Sequence, residues 1–150
     1  METKSEKAIN SFRSGYNCAQ SVLLAFQDDF NFDENLASSI SVGFGGGMGR
    51  LQEKCGAVTG AFMAIGLYSS KIHPDNLNRK NHAYPLIQQF DQRFKSIHHT
   101  TQCIDLLGCD LRTEEGHNFA IENKLFQNVC EKCIEDSVRL VEELTTENTK

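Results

Sequence analysis

The sequence predicts an all-α protein: a single-domain helical bundle with a glycine-rich loop before a central buried helix. Three observations predict it. No run of alternating β-branched residues bounded by turn signals occurs, apolar periodicity of 3.6 residues recurs from end to end, and capping side chains stand where the periodic segments begin. A chain of 150 residues is the usual size of one domain. A domain of that size buries roughly 68–70% of its unfolded surface, enough for one core without staples. One domain over residues 1–150 is therefore expected.

The first helix is expected from about Lys4 to Arg13, stopped at Ser14-Gly15 by a glycine breaker. Asn17 then caps a second helix with the stripes Ala19, Leu23, Phe26 and Cys18, Val22, Ala25. Asp33 caps a third, through Ala37 and Ile40, which runs into "GFGGGMGR", a segment too glycine-rich to stay helical. The fourth, from about Gln52 to Tyr68, carries Gly56, Gly60 and Ala64 at i, i+4 and i+8 and is apolar nearly all round, the mark of a central helix. Asp75 caps a long fifth helix to about His99, in which Pro85 should introduce a kink. "TTQCIDLLG" is a short helix closed by Gly108, and Thr113 opens a segment that "EEGHN" makes weakly helical. The last helix, from Asn128 to about Leu144, aligns Ile134, Val138, Val141 and Leu144, and its end "TTENTK" is expected to fray.

Hydrophobic residues make up 39% of the chain, and with 11 glycines added the apolar share is that of a soluble folded protein. A net charge of -5, with basic residues interspersed among the acids, excludes the basic face that nucleic acid requires. The longest nearly uncharged apolar stretch, "GAVTGAFMAIGLY", is shorter than the ~20 residues of a membrane span. The beginning "METKSEKAINSF" lacks the apolar region of a secretory signal, so a cytoplasmic location is expected. Six cysteines in such a chain fall below the roughly 8–10% of a disulfide scaffold, and a reducing compartment would keep them free.

Those cysteines are Cys18, Cys55, Cys103, Cys109, Cys130 and Cys133. Cys18, Cys55, Cys103 and Cys130 fall at four expected helix starts, where unpaired N–H groups and the positive end of the helix dipole favour a thiolate. Buried cysteine is also a common core filler, so packing competes with chemistry at each position. The spacing matches neither paired zinc knuckles nor ferredoxin runs, so a shared site must be assembled by the fold. "CEKC", Cys130 to Cys133, lies within an amphipathic helix and lacks the strand that precedes a thioredoxin-like motif. Gly43-Phe44-Gly45 is followed by Met48 where a dinucleotide fingerprint needs glycine, and no phosphate-loop lysine follows. Gly45, Gly46 and Gly47 with Arg50 remain candidates for a backbone nest that binds an anion, beside the plainer reading of close helix packing. The five histidines receive no role.

"GYNCAQSVL", "GFGGGMGR" leading into "CGAVTGA", "CIDLLG" and "CEKCIEDSVRLVEE" together resemble the bacterial redox-active family C_GCAxxG_C_C, from about Gly15 to Leu144. The resemblance implies a small, mostly helical cytoplasmic protein of redox role, often encoded near transporter genes. It assigns the four family cysteines to Cys18, Cys55, Cys103 and Cys130, and leaves Cys109 and Cys133 as additions with packing roles. The expected function is a redox site built from those four thiols, holding an iron-sulfur cluster or other metal, or cycling between dithiol and disulfide. The competing reading is a non-enzymatic module that binds a ligand or a transporter and keeps its cysteines for packing. A redox partner is implied but not named, and the apolar helices are compatible with a homodimer.

Overall fold

The structure, a computed structural model, describes residues 1–147. Among them every regular element is helical, and extended backbone pairs only in an isolated antiparallel bridge between Lys54 and Gln102. The order is α1 (Lys4–Arg13), α2 (Cys18–Leu24), α3 (Gln27–Phe30), α4 (Glu34–Ser41), a short 3-10 turn (Val42–Phe44), α5 (Gly45–Met48), α6 (Gly56–Ile72), α7 (Asn76–His98), α8 (Cys103–Leu107), α9 (Glu114–Glu122), a π-helical turn (Phe126–Cys130) and α10 (Glu131–Glu147).

Local sequence chemistry sets most of these boundaries. Thr3 and Glu6 close a reciprocal capping box on α1, as Asn17 and Gln20 do on α2, satisfying two orphan N–H groups each time. Asp33, Asp75 and Thr113 accept from Leu36, Asn78 and Gly116 and so start α4, α7 and α9. Gly108 ends α8 in the left-handed conformation, with φ 69°. Pro85 does not break α7, which continues as helix to His98.

α6 runs on to Ile72 where an end at about Tyr68 is expected, and "GFGGGMGR" holds only single turns of helix broken by left-handed Gly46 and Gly47. Two helix starts also differ from expectation. α6 begins at Gly56 rather than Gln52, because Met48, Arg50 and Gln52 all take positive φ and hold the chain in a loop. The last helix begins before Asn128, with Cys130 closing the π-helical turn that feeds into α10. Of the expected frayed end, Thr145–Glu147 belong to α10, and residues 148–150 lie outside the described residues.

The core centres on α6, which packs most extensively against α2 and also against α7 and α10. Its buried residues run from Gly56 to Ser69 on all sides, and α10 turns Ile134, Val138, Val141 and Leu144 fully inward, as their periodicity predicts. The approach of α6 to α2 depends on the absence of side chains. A Cβ on Gly60 would lie 2.6 Å from the Ala19 carbonyl oxygen and 3.1 Å from its Cα, and one on Gly56 would overlap Cys18 Sγ.

Gly60→Ala therefore sets two effects against each other: about 1 kcal/mol gained in helix propensity and about 1–3 kcal/mol lost to overpacking against backbone. The contact with Ala19 backbone should dominate, so the urea midpoint is expected to fall. A raised midpoint would show that the helices separate at little cost.

Candidate functional site

Four segments far apart in sequence meet at one end of α6. The loop before α6 and the segment before α8 are clamped together by backbone bonds: Cys55 N–H donates to Thr101 O at 2.7 Å, Cys103 N–H to Glu53 O at 2.6 Å and Ile104 N–H to Gln52 O at 3.1 Å. Two cysteine-bearing helix starts are thereby fixed side by side. Gln52, expected to open a helix, is instead a buried strut. Its Nε2 donates to Cys109 O at 2.9 Å, and its Oε1 accepts from Leu111 N–H at 2.7 Å, tying the loop to the chain beyond α8.

The glycine segment closes the third side. Asn17, besides capping α2, donates from Nδ2 to Val42 O at 2.8 Å, and its side chain fills the space a Cβ on Gly45 would need. Gly47 backs onto Cys103, where a Cβ would stand 2.6 Å from the cysteine Cβ. The fourth side is the π-helical turn, whose Glu131 N–H reaches back to Phe126 O. Such turns are rare and frequent at functional sites. Here the turn ends at the cysteine it presents.

A cavity of about 470 Å³ lies between these segments, lined by Cys18, Cys55, Cys103, Cys130 and Cys133 among otherwise mostly apolar side chains. The four sequence-predicted cysteines thus face one space. Gly45, Gly46 and Arg50 line it as well, whereas Gly47 does not, being packed behind Cys103. Cys109 lies outside, and no histidine lines the cavity.

Two expectations are corrected. Cys130 does not stand at a helix start, since helical backbone precedes it from Leu125. Cys133 is not merely core filler: it is 1% exposed, lines the cavity and hydrogen-bonds to Cys55. The signal that could have found it was the CxxC spacing, which puts two thiols on neighbouring turns of one helix face.

The five thiols are not alike. Cys55 is held below the ordinary cysteine value, first by the hydrogen bond from Cys133 and then, against the cost of burial, by the Ala57 and Val58 N–H groups at the start of α6. Burial pushes Cys18 up to about 11, with the nearby Cys55 charge adding to it, and pushes Cys103 up to about 12 for the same reasons. Cys130 is also raised, chiefly by burial. Cys133 is raised because its proton is shared with Cys55. A helix start therefore does not suffice for a thiolate here. The arrangement is one thiol held below its ordinary value among thiols that burial raises, in an apolar chamber.

The model of the family described as "Putative redox-active protein (C_GCAxxG_C_C)" matches residues 16–144. The chain belongs to this family. All six cysteines lie within the matched span, and the C_GCAxxG_C_C description of redox activity fits a cavity walled by thiols. No curated protein and no solved structure matches the chain. Among the described residues no helix is long and apolar enough to cross a membrane.

The alkylation rate of Cys55 by iodoacetamide should rise with pH and level off below the pH at which an ordinary thiol does, because the thiolate is the nucleophile. Cys133→Ala, which removes the donor, should move that profile to higher pH, and Cys133→Ser, which keeps a hydroxyl donor, should move it less. Identical profiles for all three proteins would remove Cys133 from the account.

Proposed function

We propose that this protein is a dithiol oxidoreductase in which Cys55 is the attacking thiolate and Cys133 the resolving thiol. The observation that carries the reading is that Cys55 and Cys133 line one cavity with three further thiols, and that Cys133 is what chiefly holds Cys55 below its ordinary value. The chemistry follows from that pair. Cys55 Sγ attacks one sulfur of a small disulfide, whose S–S bond breaks with its electron pair leaving on the other sulfur as thiolate. Cys133 Sγ then attacks Cys55 Sγ, the mixed disulfide breaks, and the second substrate sulfur leaves, taking up the Cys133 proton. Two electrons pass to the substrate, and one protein disulfide remains. A small dithiol reductant reverses the steps and restores the enzyme.

All six cysteines are free, so the reduced form is the one described. Thiols are also ligands for soft metals or an iron-sulfur cluster. Among the described residues, however, no three ligating side chains are grouped as a metal-ion site, whereas Cys55 and Cys133 are already in contact. That favours the dithiol cycle.

Anaerobically purified protein treated with one equivalent of a small disulfide should lose two thiols, and peptide mapping should recover a Cys55–Cys133 crosslink. Cys55→Ser should abolish turnover. Stoichiometric iron or zinc, lost together with activity on chelation, would overturn the dithiol cycle in favour of a metal centre. Undiminished turnover in Cys55→Ser would overturn Cys55 as the attacking thiolate, and absence of disulfide turnover in the wild type would assign the cysteines to packing.

A further inference from the structure

We propose that the substrate is a small anionic disulfide whose acidic group rests against Arg50 while its sulfurs face Cys55, an inference that builds on the dithiol reading above. Size follows from access. Cys55 is 8% exposed and Cys133 1% exposed, so a disulfide on a protein surface cannot reach them, whereas a cavity of about 470 Å³ admits a small molecule.

Charge follows from the lining. Arg50 is the only Lys, Arg, Asp or Glu among the residues that line the cavity, and among the described residues no carboxylate lies within ion-pair distance of it. Glu131, next to the cavity-lining Cys130, is paired with Arg13 at 2.7 Å, and its charge is felt at Cys130, so an anion is drawn to Arg50 and not to the π-turn side. Arg50 is exposed at the cavity's edge, and its backbone takes φ 64°, a conformation that costs a non-glycine residue about 1–3 kcal/mol. Its stem lies along Gly46, where a Cβ would stand 2.9 Å from Arg50 Cγ. The net charge of -5 disfavours anions at long range, so selection for one must come from a local cation such as this.

The test compares two disulfides of similar size: dithiodiglycolate, which is dianionic, and hydroxyethyl disulfide, which is neutral. The ratio of their reduction rates should fall about tenfold in Arg50→Gln and be partly restored in Arg50→Lys. In the unmodified protein, benzoate should slow alkylation of Cys55 by iodoacetamide in a saturable way, and benzamide should not. An unchanged rate ratio in Arg50→Gln, or equal protection by benzoate and benzamide, overturns the inference while leaving the dithiol reading intact. Loss of Cys55 dependence for both disulfides would instead overturn the dithiol reading.

Discussion

A thiolate in an apolar cavity is unstable unless hydrogen-bond donors replace water, and only at Cys55 do the donors outweigh burial. Burial opposes charge at every cysteine of the cavity, and at Cys18, Cys103 and Cys130 it prevails. At Cys55 the Cys133 thiol and the first free N–H groups of a 17-residue helix reverse it. Charge on Cys55, when it ionises, raises the other thiols further. One hydrogen bond therefore divides the five sulfurs into a nucleophile and its reserve.

Everything else in the fold serves to bring donors and sulfurs to that point. Glycines permit the approach: Gly56 lets Cys18 lie on the start of α6, Gly60 lets α2 follow it, and Gly47 lets the loop press on Cys103. The backbone bridge at Lys54 and Gln102 fixes the two helix starts, and Gln52 ties both to the loop beyond α8. The left-handed residues from Gly46 to Arg50, with Gln52 beyond Leu51, form the strained element, and it sets where Arg50 stands.

Much of this was legible in the sequence, because helix caps and amphipathic stripes are local signals. Asn17, Asp33, Asp75 and Thr113 start the helices their side chains imply, and α1 and the inward face of α10 follow directly from periodicity. The four cysteines of the family pattern were legible too, and they line one cavity. What escaped depends on contacts between distant segments. Gln52 has good helix propensity, yet its side chain is satisfied only by the backbone of Cys109 and Leu111, which holds it in a left-handed loop. The π-helical turn has no local signature, and Cys133 reads as an apolar position of an amphipathic helix until Cys55 is placed beside it. The helix dipole, a sound local argument, overestimated Cys18 and Cys103 because it took no account of burial, and Cys130 because that residue is not at a helix start.

Cys55 is the one cavity thiol whose proton is held less tightly than an ordinary cysteine's. Ultraviolet absorbance of thiolate, titrated anaerobically in the wild type and in Cys55→Ser, measures it most directly. The wild type should lose a first proton, one thiol per chain, at a pH below that of an ordinary cysteine, and Cys55→Ser should lack that step. A first step no lower than an ordinary cysteine's, or one that persists in Cys55→Ser, would contradict this assignment.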